Sequence, residues 1–313
     1  METTTIEQRT PITLSPERRL TGYLLALTAG TIWGTTGVFS NALHEAGVEV
    51  TDVGFWRILL ASLGFIVYGV ARPEIFRFDR RALWLVAGVG GALVGGFEIA
   101  YQFAIDGVGI ASAVALLYTA PVIVALLAWL LLGERLTPLR MLLAVAVMAG
   151  AAMTVLGAWQ EEVGVTTLGI TGGIIAALCW SGSILVARFA VPIYGAVRVL
   201  FLTLAGGTLI LALVLPLAGH TPAPPGTGVA WLLVLGLGVG TVLANFAFLG
   251  GVKRIDAAPA SVAATVEPVV AALLGLLLFG HTLMAVGWVG LALVVGGVAG
   301  GYLREAEEAP AAA

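Results

Sequence analysis

Charge is scarce in this chain. Lys, Arg, Asp and Glu make up 11% of 313 residues, hydrophobic residues make up 59%, and the mean hydropathy is +1.04. So little polar side chain cannot coat a water-soluble globule, which excludes an ordinary soluble domain. The net charge of −3, with no basic stripe, offers no footprint for nucleic acid. Cysteine is nearly absent: the single Cys179 allows no intrachain disulfide and no thiol-rich metal site, and reads as a small core residue. Histidine is rare too. His44, His220 and His281 fall between apolar runs, and there is no His-Glu-x-x-His, Gly-x-Ser-x-Gly or Walker pattern. The chain therefore shows no nucleophile and base of an enzyme, and no metal or cofactor is expected.

What the chain has is apolar length. A membrane span needs about 20 mostly apolar residues. Such runs occupy residues 20–41, 53–71, 82–104, 109–132, 139–158, 169–190, 196–217, 229–251, 257–279 and 284–303. The runs are long and unalternated, so they predict helices rather than barrel strands. The expectation is an all-α polytopic membrane protein of ten transmembrane helices in a lipid bilayer, the first of them retained in the mature protein.

Basic residues fix an expected orientation. Fourteen of the fifteen lie before the first run or in every second connection after it, and the loops around His44, Asp106, Gln160, His220 and His281 carry none. The positive-inside rule then places both termini in the cytoplasm. Arg57 is the exception. It sits by the outer end of the second run, where snorkelling or pairing with Asp52 accounts for it.

The chain also repeats itself. "APVIVALLAWLLLGERL" (120–136) and "EPVVAALLGLLLFGHTL" (267–283) align Pro121 with Pro268 and Gly133 with Gly280, 147 residues apart. At the same offset Trp33 pairs with Trp180, Thr36 with Ser183, Trp84 with Trp231, Glu98 with Asn245, Tyr101 with Phe248, Tyr118 with Thr265 and Gly150 with Gly297. Two units of five helices follow, at 20–158 and 167–303, with a basic N-terminal segment at 1–19, an outer linker at 159–166 and an acidic tail at 304–313 read as disordered. Five is odd, so the second unit enters the membrane inverted. Substrate sites form near the midplane of such inverted repeats.

With a Trp in the first helix of each unit, a Pro in the fourth, and a Gly before its exit in "LLLGERLTP" and "LLLFGHTL", the two units resemble tandem EamA domains of the drug/metabolite transporter superfamily. The resemblance covers nearly all of residues 20–303. It implies an inner-membrane secondary transporter exporting small metabolites or drugs, amino acids prominent among them. One position departs from the pattern: His281 stands where the family usually has Glu.

The residues suggest where a substrate sits. Pro121 and Pro268 each remove a helical hydrogen bond, to the carbonyls of Leu117 and Ala264, and act as hinges on a substrate path or as packed kinks. Trp33 and Trp180 lie well inside their runs, each with a hydroxyl, Thr36 or Ser183, one turn later. They are pocket walls or core indoles bonding a neighbour. Glu98, Tyr101 and Gln102 form a polar stripe, and an intramembrane carboxyl suggests a ligand for a substrate ammonium or a proton-titrating gate. Glu267 is the second candidate for proton coupling, with an equally good structural role donating to the carbonyl freed by Pro268. Tyr118, Thr265, Asn245 and Phe248 complete the expected lining. It suits an amphipathic substrate with an apolar body and an amine. Small-xxx-small glycine spacings such as "GALVG" suit internal packing and a homodimer face equally well.

Overall fold

The computed structural model describes residues 16–132, 138–158, 165–255, 260, 263–280 and 282–308. Eleven helices are named here in chain order: α1 (Pro16–Glu45), α2 (Val50–Ala71), α3 (Ala82–Val108), α4 (Ile110–Leu117), α5 (Ala120–Leu132), α6 (Pro138–Ala158), α7 (Thr167–Tyr194), α8 (Ala196–Leu217), α9 (Gly228–Val252), α10 (Glu267–Phe279) and α11 (Ala285–Glu308). The first nine residues of α3 are π-helical. No strand occurs among the described residues.

Five helices, α2, α3, α7, α8 and α9, are long and apolar enough to cross a membrane, and shorter apolar helices accompany them. Their outward faces carry bare aliphatic side chains such as Val67, Val70, Leu213 and Leu217, as expected where lipid is the solvent. Helix α1 is the longest at 30 residues, and is richer in Thr than those five.

Pro121 and Pro268 do not kink continuous helices. The fourth run is divided into α4 and α5 by a turn at Tyr118 and Thr119, with Pro121 at the second position of α5. Pro268 likewise stands in the first turn of α10. Proline is tolerated at a helix start because its missing N–H would find no helical partner there, so the break is a helix start rather than a bend. The C-terminus also departs from expectation. Helix α11 continues through Glu308, because Arg304 to Glu308 are good helix formers and nothing stops them. Residues 133–137, most of "GERLTP", and His281 lie outside the described residues.

Contacts between the repeats are reciprocal. Helix α1 packs on α9 and α10, and its repeat equivalent α7 packs on α3 and α5. Helix α2 meets α9 and α3 meets α8, while α6 and α11, the last helices of the two repeats, pack on each other. Each repeat thus crosses the broken helix of the other. A Cβ at Gly30 would lie 2.5 Å from the Ala264 carbonyl, and one at Gly34 2.9 Å from the Glu267 carbonyl. Ser181, the equivalent of Gly34, sets its Oγ 3.1 Å from the carbonyl of Ala120, the equivalent of Glu267. The same crossing is built twice.

The α6–α11 seam makes the role of glycine testable. A Cβ at Gly290 would meet the Gly150 carbonyl at 2.5 Å and the Thr154 nitrogen at 2.6 Å, whereas Gly296 on the same helix has open space. Gly290→Ala should destabilise the bundle by about 1–3 kcal/mol through overpacking. Gly296→Ala should be neutral or slightly stabilising. Thermal unfolding of the two variants in detergent checks this.

Candidate functional site

The centre of the bundle holds the polar residues that a lipid-solvated protein can least easily bury. Arg57 of α2 is 6% exposed and Glu98 of α3 is 3% exposed. Arg57 Nη1 stands 3.1 Å from Glu98 Oε2, and Arg57 Nε donates to Thr241 Oγ1 of α9 at 3.2 Å. Thr241 in turn donates to the carbonyl of Leu237. The charge contact lies off the line of a hydrogen bond, so neither Nη1 nor Oε2 completes one. Arg57 thereby joins both repeats, and it corrects the expectation of snorkelling or an Asp52 partner. Asp52 is engaged elsewhere: its Oδ1 is 2.6 Å from His220 Nε2, and its Oδ2 accepts from the Ala223 N–H.

A second polar pair lies at the break. Tyr118 Oη, in the turn between α4 and α5, donates to Glu267 Oε2 at 3.0 Å. Tyr101 is buried within electrostatic range of Glu98, Arg57 and Glu267. Glu98, Tyr101, Tyr118 and Glu267 are therefore brought to one region from both repeats, together with Arg57. Pro268, next to Glu267 in the chain, is buried. Thr265 is buried two residues before Glu267.

Aromatic rings flank this centre in a repeated pattern. Trp33 of α1 packs on Phe248 of α9, centroids 5.4 Å apart. Trp180 of α7 packs on Phe97 of α3 at 5.1 Å, and Phe97 stacks on Tyr101 at 5.4 Å. The two pairs are repeat equivalents except that Phe97 is inserted in the second. Trp33 is half-buried, whereas Trp180 is 38% exposed. Ser183 Oγ donates to the Trp180 carbonyl and Asn245 Nδ2 to the Thr241 carbonyl, so both bond their own helices. Thr36 and Gln102 are buried on the faces of α1 and α3. Pro121 is the second residue of α5, and its side chain is outside the described part.

Sequence reasoning assigned Arg57 to snorkelling or to Asp52 and passed over Phe97. Arg57 carried a signal, being the one basic residue outside the positive-inside pattern. Phe97 carried none, since an aromatic in an apolar run is unremarkable. No group of three or more His, Cys, Asp and Glu able to hold a metal occurs among the described residues. An open cleft of about 610 Å³ lies instead at the arginine-rich end, lined by Glu17, Arg18, Thr21, Lys253 and Arg254, and none of the central residues borders it.

The profile of the EamA-like transporter family matches residues 20–156 and 167–302. The chain belongs to this family. It is a multi-pass membrane transporter with two EamA domains, of the drug/metabolite transporter superfamily, and not an enzyme. An "Uncharacterized transporter" of Archaeoglobus fulgidus is 30% identical over 272 residues, 85% of this chain and 91% of the relative. An "Uncharacterized inner membrane transporter YicL" of Salmonella typhimurium is 24% identical, over 88% of this chain and 93% of the relative. A crystal structure described only as "Crystal structure of protein" superposes with a TM-score of 0.65 at 23% identity, covering 92% of this chain and 99% of that one, and shows the same fold. A small-molecule substrate and a lipid surround follow from the family.

The central ion pair gives a test of its own. Removing one partner of a buried pair leaves an uncompensated charge, while replacing both with apolar residues is often neutral. Arg57→Leu or Glu98→Leu alone should cost about 3–5 kcal/mol, and the double variant much less than their sum. A double-mutant cycle on unfolding in mixed micelles measures it.

Proposed function

We propose that this transporter exports small metabolites, foremost amino acids with aromatic or amphipathic bodies, by alternating access around the central site, with both termini in the cytoplasm. The arginine-rich end then faces the cytoplasm and the end bearing His44 and His220 faces outward, following the positive-inside rule.

The observation that carries the reading is the Arg57–Glu98 pair. A buried guanidinium and a buried carboxylate 3.1 Å apart without an aligned hydrogen bond are the charge complement of an amino-acid zwitterion. Its carboxylate suits the fork of Arg57 and its ammonium suits Glu98, while Trp33, Phe248, Trp180 and Tyr101 offer faces to an apolar body. The crossing of each repeat over the other's broken helix supports alternating access, since rocking one repeat against the other moves both breaks together. A charged pair plugging the centre favours a carrier over a passive channel. Glu98 is the candidate for proton coupling and Glu267, already bonded to Tyr118, the secondary one.

Reconstitution tests the reading. Labelled phenylalanine and leucine should enter proteoliposomes saturably, and faster when the vesicles are preloaded. A channel shows no such counterflow. Trp33→Ala and Trp180→Ala should each raise KM about tenfold, a loss near 1.4 kcal/mol; unchanged KM in both would remove these walls from the site. Glu98→Gln should abolish accumulation driven by a pH gradient while sparing exchange if the carboxyl couples protons, and should weaken ammonium-bearing substrates selectively if it only binds them. Absence of any amino-acid uptake would move the substrate to drugs, nucleobases or other metabolites.

A further inference from the structure

Several buried polar atoms make no hydrogen bond among the described residues: Ser40 Oγ and both ring nitrogens of His44 on α1, and both amide atoms of Gln102 on α3. Ser40 and Gln102 are fully buried. Buried amides and hydroxyls in native proteins bond to protein or to ordered water, so a cluster of such groups marks a hydrated place.

The groups fall on two facing stripes. Gly37, Ser40 and His44 share one face of α1, and Glu98, Gln102 and Asp106 share one stripe of α3, each set recurring at helical spacing. The stripes approach each other at their outer end, where His44 Nδ1 is 3.8 Å from Asp106 Oδ1. Asp106, with half of its side chain exposed, opens the seam to solvent. Ser40 and Gln102 come one turn further in, and Glu98 with Arg57 one turn beyond that. Successive rungs are about 6 Å apart along each helix, the reach of one bridging water.

We propose that a file of water runs between α1 and α3 from Asp106 and His44, past Ser40 and Gln102, to Glu98, and delivers protons to that carboxyl from the histidine-bearing end of the bundle. Burial holds His44 below the ordinary histidine range against the opposing pull of Asp106, which keeps its ring neutral, with one donor and one acceptor nitrogen to pass a proton along. The ionisable groups around Glu98 are Arg57 from α2 and Tyr101 from its own helix, and Glu267 from α10 lies beyond them, within range of Arg57 and Tyr101. A proton reaching Glu98 neutralises it and leaves the Arg57 guanidinium without its counter-charge, ready for another anion. The file depends on no particular substrate. Only its assignment to the outer face rests on the orientation proposed above.

Cysteine accessibility to Ag⁺, an ion close to water in size, tests this. Cys179 is the single native cysteine, so a Cys179→Ser background is thiol-free. In sealed vesicles, Ser40→Cys and Gln102→Cys should be consumed by Ag⁺ added at the histidine end at least about tenfold faster than Leu43→Cys, a fully buried apolar control nearly one turn closer to that end. Remaining thiols are counted with a maleimide after unfolding. Protection equal to the Leu43 control would overturn the proposal, as would reaction only from the arginine-rich end. Gln102→Leu gives a second readout: a hydrated amide loses its water bonds and the melting temperature falls, whereas a dry one is relieved and it rises. Neither readout uses a substrate, so the file can fail while amino-acid exchange stands, and the reverse.

Discussion

Apolar helices in lipid gain nothing by hiding apolar surface from one another, so a bundle of them coheres through close packing and a few internal polar bonds. Here the close packing is concentrated where the first helix of each repeat crosses the broken helix of the other. Gly30 and Gly34 let the backbone of α1 settle against the Ala264 and Glu267 carbonyls, and Ser181 bonds the Ala120 carbonyl at the equivalent crossing. Breaking a helix in a membrane frees backbone groups that lipid cannot satisfy. Covering each break with the opposite repeat removes that penalty and ties the two repeats together in the same contact.

The polar centre depends on this arrangement. Arg57 and Glu98 belong to the first repeat, and both would be costly against hydrocarbon. They are enclosed because α9, from the second repeat, supplies Thr241 to Arg57 and covers the pair. Tyr118 and Glu267 are joined in the same way across the repeats. The symmetry of the scaffold does not extend to its charges: the equivalents of Arg57 and Glu98 are Leu204 and Asn245. A duplicated frame therefore holds a single, asymmetric set of charges, which gives the site a direction that the frame lacks.

The histidine end has its own connections. His220 reaches Asp52, Thr51 and Glu49 at the start of α2, and the Trp56 indole donates to the Ala223 carbonyl, so the connection before α9 is fastened to the opposite repeat. Trp56 and Trp231 pack edge to face beside it. A cluster of polar bonds at this end and a cleft lined by Arg18, Lys253 and Arg254 at the other give the bundle two chemically different mouths.

Much of the fold was legible because lipid imposes strong rules on sequence. Apolar length marked most of the helices to within a few residues, though not the breaks in the fourth and ninth runs, and the 147-residue offset revealed the duplication. Tyr118, Glu267, Glu98 and Tyr101 stood out because polar groups in a span are expensive. Partnerships were not legible. Arg57 looked like a headgroup anchor or a partner of Asp52 because sequence shows neighbours along the chain, whereas its counter-charge lies 41 residues away on α3 and its hydroxyl partner in the other repeat. Helix starts at the prolines were hidden for a similar reason: proline forbids one hydrogen bond, and only packing decides whether the helix bends or restarts. Sequence alone determined the solvent, the helices and the repeat, since these follow from hydropathy and spacing. Tertiary structure decided which charges meet, because a buried ion pair is settled by what encloses it.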